Sequence, residues 1–269
     1  MIFGITVLCL IPILAAVLYF ILTRPNHGRR EAVSSFARIP FAHRGLHDRT
    51  VPENTVSAFR AAASAGYGIE LDVRLTKDGK VVVFHDEDLL RAAGLPVKIA
   101  EISYEELKAV RIFGSEERIP LFSEAAAEAN GVPLLVEIKD TPRLSELCEK
   151  TAAVLSSYNG SFAVQSFHPG APAWFKKHHP EVLRGQLSSD FRGESLSSVK
   201  KFLLSNMLLN VWSKPDFTAY DIRACRRVLF RLYCRIHRPV LFCWVVRSRE
   251  DVESAEKRFE GIIFEEIRL

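Results

Sequence analysis

From Pro40 onward, apolar runs of strand length alternate with stretches of helical periodicity. The strand-like runs cover residues 39–43, 68–73, 133–138, 162–165, 184–187, 208–211, 240–245 and 261–264. Helical patterns fill most of the gaps, at 54–65, 145–156, 172–178, 195–204, 217–234 and 248–259. Repeated strand–helix alternation predicts a parallel sheet. Eight such strands predict closure into a (β/α)8, TIM-type barrel over residues 40–269.

One further apolar run, residues 81–85, is separated from its predecessor by little more than Asp78 and Gly79. A tight Asp-Gly turn makes an antiparallel hairpin. With those two residues as the loop, Lys77 pairs with Lys80, and counting outward sets His85 opposite Asp72, about 4.5–5.5 Å away. Residues 86–119 then form a small insertion after the second strand, with a helix near 104–110.

The first 22 residues carry no charged side chain. As a helix they span roughly 33 Å, enough for a hydrocarbon core, and membrane helices tolerate a proline such as Pro12. A cleaved signal peptide would want a basic start, a shorter apolar core and a small-x-small site, and none is clear. The expected organisation is therefore a transmembrane anchor (1–23), a polar tether (24–39) and the barrel domain (40–269). Arg24, Arg29 and Arg30 follow the apolar run and no Lys or Arg precedes it. The positive-inside rule then predicts a single-pass membrane protein with its catalytic domain in the cytoplasm.

Composition adds little. Of the 269 residues, 48% are hydrophobic and 25% charged, an ordinary globular balance. A net charge of +4 suits attraction to anionic lipid or phosphate substrates and does not argue for nucleic acid. The five cysteines include no C-x-x-C pair, which fits small hydrophobes in a reducing compartment better than a disulfide framework.

The chemistry concentrates at predicted strand ends. Glu70 and Asp72 are two apart on one strand, so their side chains share a face. Two acids on a buried face are costly unless a cation neutralises them, and Glu137 recurs in another apolar strand. Three hard carboxylates suit Mg²⁺ or Ca²⁺ rather than Zn²⁺; the rival reading is a surface alternation of strand acids. His43 and His85 are general acid/base candidates, since imidazole titrates near neutrality. Arg44 can fork two hydrogen bonds to a phosphate, and Lys139 can add positive charge beside it. Asp86 either orients a histidine or starts a turn. His27, His47, His168, His178, His179 and His237 read as structural.

The order of these residues resembles the glycerophosphodiester phosphodiesterase family. The resemblance runs through His43-Arg-Gly45, Pro52-Glu-Asn-Thr55, Gly68-x-Glu70-x-Asp72, Thr76-x-Asp-Gly79, Val83-Phe-His-Asp86, Ile119-Pro-Leu, Glu137-Ile-Lys139 and Gln165-Ser-Phe167. It ends more weakly at Trp244-x-Val. It implies an α/β barrel that hydrolyses glycerophosphodiesters to glycerol 3-phosphate and an alcohol. It implies a divalent cation on Glu70, Asp72 and Glu137, with His43 and His85 as the histidine pair. Attack by the glycerol 2-hydroxyl, giving a cyclic phosphate that water opens, is also implied. Glu53, Asn54, Gln165 and Trp244 lie in the matched motifs as possible substrate-pocket residues. Two late motifs depart: Trp244-Val-Val-Arg247 stands where the family has Trp-Thr-Val-Asn, and Ile263-Phe-Glu-Glu266 where it has Ile-Thr-Asp-x-Pro.

Two alternatives accompany this reading. One is a membrane-tethered, lysophospholipase D-like phosphodiesterase. It draws on the anchor and on Arg223, Arg226, Arg227, Arg231 and Arg235, which either lie on an anionic surface or form the solvated face of an outer helix. The other is a catalytically inactive barrel that only binds.

Overall fold

The computed structural model describes residues 2–269, with side chains from Leu10 onward. Its strands are, in chain order, β1 (Phe41–Ala42), β2 (Gly68–Leu75), β3 (Val81–Val83), β4 (Asp88–Leu89), β5 (Leu95–Lys98), β6 (Leu134–Ile138), β7 (Phe162–Ser166), β8 (Leu183–Ser188), β9 (Phe217–Asp221), β10 (Val240–Val246) and β11 (Gly261–Phe264). Eight of them form a closed parallel circle, β1-β11-β10-β9-β8-β7-β6-β2, completed by β1 pairing with β2. The expected barrel is therefore present. β3 hangs antiparallel on β2, and β4 with β5 makes a separate ribbon inside the insertion.

The interior explains why one end is inert and the other chemical. Its lower part is an apolar cluster that includes Phe41, Phe217 and Phe242. Glycines make room for the rings: a Cβ at Gly185 would sit 2.1 Å from the Phe217 ring, and one at Gly261 would sit 2.3 Å from the Phe242 ring. Overpacking of this kind costs about 1–3 kcal/mol. Gly185→Ala should therefore lower the melting temperature by several degrees in a thermal scan, and an unchanged melt would refute the packing account. Toward the C-terminal strand ends the same inward rows turn polar, from Gly68 to Glu70 and Asp72, from Leu135 to Glu137, and from Ala163 to Gln165.

Several sequence expectations are corrected. Residues 208–211 are not a strand; the chain makes one helical turn at Asn210–Ser213. The missing strand is β9, inside the span read as helix 217–234. There Phe217 to Tyr220 are fully buried, and the Thr218 hydroxyl meets the Tyr233 hydroxyl at 2.9 Å. The helix begins only at Val228 and runs to His237. The hairpin register is shifted by one. Thr76 N–H donates to Lys80 O, so the loop has three residues, with Gly79 at φ +74°. Phe84, not His85, consequently lies across from Asp72, where its N–H donates to the Asp72 carbonyl.

The N-terminal helix spans Ile2–Thr23. Among the described residues no helix is long and apolar enough to cross a membrane, so the spanning anchor expected at 1–23 is not supported. The side chains of residues 1–9 lie outside the described part. The last turns of the helix dock on the barrel. Tyr19 donates to Leu229 O, the Thr23 hydroxyl meets His237 Nε2 at 2.8 Å, and Asn210 Nδ2 donates to Thr23 O. The stretch read as a polar tether contains a helix, Arg30–Phe36, that buries Val33 and Phe36. The Phe36 ring lies 5.0 Å from that of Phe41, tilted by 40°, and adds to the apolar end of the barrel. The four described cysteines are all unpaired.

Candidate active site

The polar end of the barrel is assembled from strand register. Asp72 on β2 pairs in register with Glu137 on β6, which pairs with Gln165 on β7. Glu70 lies two residues back on β2, on the same face. Oxygens of Glu70, Asp72 and Glu137 all fall within 4.8 Å of one another, and all three residues are buried. Such a cluster needs positive charge. Lys139 supplies part of it, with Nζ 2.8 Å from Asp72 Oδ1 and 2.6 Å from Glu137 Oε1. Arg44 supplies more, with Nε 3.5 Å from Asp72 Oδ2. The three acids fit a hard divalent cation by donor type, number and proximity.

Charge is distributed unequally over the cluster. Burial, then the charges of Asp72 and Glu137, push Glu70 well above the ordinary carboxylate range. Burial also acts against ionised Asp72, but Lys139, His85 and Arg44 outweigh it and hold that carboxyl well below the usual range. Lys139 is buried too, yet Asp72 and Glu137 raise its pKa, so it stays charged. One proton or one cation is therefore what the acids still lack.

His43 follows β1, and the next two residues turn left-handed, Arg44 at φ +57° and Gly45 at φ +82°. A Cβ on Gly45 would lie 2.8 Å from that of Ala58, so both the angle and the space call for glycine. This turn shortens the first strand and brings the Arg44 N–H to Glu70 Oε2 at 3.2 Å. His43 Nε2 lies 4.0 Å from Glu70 Oε2, while its Nδ1 is hydrogen-bonded to Glu265. Arg247 clasps the other oxygen of Glu265, with Nε donating at 2.7 Å. Burial is the dominant influence on His43 and lowers its pKa below the ordinary imidazole value.

His85 reaches the site from the end of the hairpin. Its carbonyl accepts two hydrogen bonds from Arg74, at 2.9 and 2.7 Å, which fix the chain where the ladder has stopped. Its Nδ1 is 2.7 Å from Asp86 Oδ1, so Asp86 orients the histidine. Arg91 donates to the other Asp86 oxygen and to Glu53, and Glu53 accepts from Arg44 Nη1 at 2.8 Å. An unbroken chain of ion pairs thus joins Arg44 to His85. Burial opposes ionised Asp86 and Glu53, but the hydrogen bonds in this chain keep both pKa values low.

His43, Arg44, Glu70, His85, Glu137, Lys139, Gln165 and Trp244 line one cavity of about 150 Å³. A wider cleft of about 840 Å³ shares His85, Glu137, Lys139 and Trp244 with it and extends past Phe167 and Phe191 to Leu196. Gln165 and Trp244 therefore stand where a substrate pocket was expected, with Gln165 Oε1 and Trp244 Nε1 buried and unpartnered. Glu53 and Asn54 do not line the cavity. Glu53 is used up by the two arginines, and Asn54, 1% exposed, donates to Asp72 Oδ2 at 2.8 Å. They hold the site from behind. Glu265, Arg247, Arg74 and Arg91 were missed from the sequence. The position of Glu265 just past a barrel strand was the available signal, because such strand ends carry the chemistry of this architecture.

The chain has relatives among known proteins. A glycerophosphodiester phosphodiesterase of Bacillus altitudinis is 36% identical over 163 residues, 56% of this chain and 66% of that protein. A lysophospholipase D of Homo sapiens is 31% identical over 154 residues, 52% of this chain and 48% of that protein. The chain thus spans less than two thirds of the length of these relatives. Among solved structures, an Oleispira antarctica phosphodiesterase in complex with the product sn-glycerol-3-phosphate superposes with a TM-score of 0.70 at 22% identity, over 86% of this chain and 94% of that one. A glycerophosphodiester phosphodiesterase from Thermotoga maritima gives 0.64 at 27% identity, over 84% and 93%. The model of the glycerophosphoryl diester phosphodiesterase family matches residues 43–264, from the first site histidine to the last barrel strand, and the chain belongs to that family.

Proposed function

We propose that the protein hydrolyses a glycerophosphodiester to glycerol 3-phosphate and an alcohol. The observation that carries this is the joint placement of two carboxylate-backed histidines, Arg44, Lys139 and three buried acids around one cavity. Relatives bearing the name of that activity support it.

We assign the two rings different roles. Glu265 takes the Nδ1 proton side of His43, so neutral His43 presents the Nε2 lone pair to the cavity and accepts a proton from the attacking hydroxyl. The attacking group is the glycerol 2-hydroxyl, already tethered to the phosphate, which gains the advantage of an intramolecular reaction. His85, backed by Asp86, gives a proton to the alcohol oxygen as its bond to phosphorus breaks. Water then opens the resulting cyclic phosphate. Arg44 and Lys139 neutralise the phosphodiester. A divalent cation, Mg²⁺ or Ca²⁺, held by Glu70, Asp72 and Glu137 would supply the remaining charge compensation at the phosphoryl oxygens. A catalytically inactive barrel is disfavoured, because every one of these groups is present at the site.

Purified protein incubated with glycerophosphocholine should release glycerol phosphate and choline. Chelation with EDTA should reduce the rate roughly 10²-fold or more, as loss of several kcal/mol of charge stabilisation requires. Added Mg²⁺ or Ca²⁺ should restore it. No release from any glycerophosphodiester with either cation would overturn the proposal.

A further inference from the structure

We propose that the rim of the catalytic end built from the helices Ser198–Ser205 and Val228–His237 seats on an anionic phospholipid surface, so that the substrate is a glycerophosphodiester held in a bilayer, of the lysophospholipid class. This rests on the phosphodiesterase reading of the site.

Three observations converge. First, the rim exposes large apolar side chains: Val228 is 80% exposed, Val199 68% and Phe202 54%. The two helices adjoin, since Arg227 Nη2 donates to Ser205 Oγ and Tyr220 OH donates to Ser205 O. Second, the charge around them is one-sided. From Ser198 to His237, the two helices and the chain between them, the sequence holds eight Lys or Arg and two acids, Asp216 and Asp221; Glu194 lies outside them, in the cleft. Asp216 is buried and spent on Asn26 and the Arg184 N–H. Apolar residues ringed by cations match the chemistry of an anionic lipid interface and not that of a neutral protein partner.

Third, the rim is continuous with both the catalytic cleft and the N-terminal helix. The cleft runs through Phe191 and Glu194 to Leu196, two residues before the helix Ser198–Ser205. The N-terminal helix runs parallel to Val228–His237, with Tyr19 at Leu229 and Thr23 at His237. Read backward from Tyr19, it therefore rises past the catalytic end by about 13 Å to Leu10. Leu10, Leu14 and Leu18 are exposed along that rise. One apolar and basic face thus surrounds the side of the mouth from which a single acyl chain would enter. On that substrate water adds across the phosphorus–oxygen bond to the head group. The head group leaves as an alcohol, and the phosphate stays on the acylated glycerol.

The test compares the full-length protein with two variants, Val199→Asp/Phe202→Asp/Val228→Asp and Arg223→Glu/Arg226→Glu/Arg231→Glu. Each is assayed on soluble glycerophosphocholine and on lysophosphatidylcholine in vesicles with and without phosphatidylglycerol. Vesicle flotation is measured alongside, without turnover. For the parent protein, phosphatidylglycerol should raise both flotation and the rate on vesicle-borne substrate about tenfold or more. Both variants should lose those gains and keep the rate on soluble glycerophosphocholine within about twofold, since none of the six positions lines the small cavity. Flotation and vesicle rates that ignore phosphatidylglycerol, or variants equal to the parent in both, would overturn the docking surface. Failure on the soluble substrate with normal flotation would instead count against the phosphodiesterase reading.

Discussion

His43→Ala should lower kcat on a glycerophosphodiester by roughly 10²–10⁴-fold, the usual worth of a positioned general base, with the fold intact by circular dichroism. The loss has a second signature. If His43 takes the proton from the nucleophile, its removal hurts whatever the leaving group. If His85 protonates the departing alcohol, His85→Ala should recover most of its rate on a p-nitrophenyl ester, whose leaving group needs no proton. Recovery by His43→Ala in place of His85→Ala would reverse the assignment, and wild-type-like rates in both would end it.

Glu265 should show itself through His43. A buried carboxylate behind an imidazole fixes both tautomer and ring orientation. Glu265→Gln offers an amide N–H toward Nδ1, which favours the proton on Nε2 and removes the lone pair from the cavity. The variant should lose about 10²-fold in kcat with little change in KM. It should add almost nothing to His43→Ala, because the two act as one unit. Glu265→Asp, which keeps the charge, should recover part of the rate. Equal losses in the presence and absence of His43 would assign Glu265 a merely structural part.

The contrast between Glu265 and the acids of β2 shows what a sequence can disclose. Glu70 and Asp72 were legible because strand periodicity alone puts them on one face, and Glu137 because a charge inside an apolar strand demands a partner. Each inference needs only local geometry. Glu265 meets His43 through the closure of β1 onto β11, across 222 positions of sequence. In the sequence alone, Ile263-Phe-Glu-Glu266 read as a departure from the family's ending. The hairpin missed by one residue for a local reason: an Asp-Gly pair fits two-residue and three-residue loops alike, and the left-handed Gly79 settles it only in the folded chain. β9 was hidden because no glycine or proline separates it from the basic helix behind it, so two short elements read as one long periodic run. Glu53 and Asn54, read as possible pocket residues, stand behind the cavity wall. Their motif is tied to the site by the bonds they make to Arg44 and Asp72.

Glu70→Gln should separate activity from stability. In the metal-free protein three acids face Lys139 and Arg44, and Arg44 is shared with Glu53. Glu70 is the acid left over, which is why burial and its two neighbours raise its pKa well above the ordinary 4.5. The folded state then keeps a proton that the unfolded chain has already released. Stability from this group is full below the unfolded pKa and is lost as pH rises toward and through the raised folded value. A neutral glutamine of nearly the same shape abolishes that slope. At neutral pH the metal-free variant should melt roughly 2–4 °C above the metal-free parent, for each kcal/mol relieved, and the two should converge in acid. Mg²⁺ or Ca²⁺ should reverse the order. A cation bound by the folded state alone raises the parent's melting temperature in proportion to the logarithm of its saturation, and the variant, one carboxylate short, responds far less. Turnover should fall by at least the 10–100-fold that even an outer partner of a metal site is worth. Melting curves across pH, with EDTA and with each cation, read the whole cycle. Parallel pH curves and equal cation shifts for the two proteins would mean that Glu70 is neither the surplus charge nor a ligand, whereas a stabilised, metal-blind and inactive variant would show that the fold tolerates this buried acid for the sake of the cation.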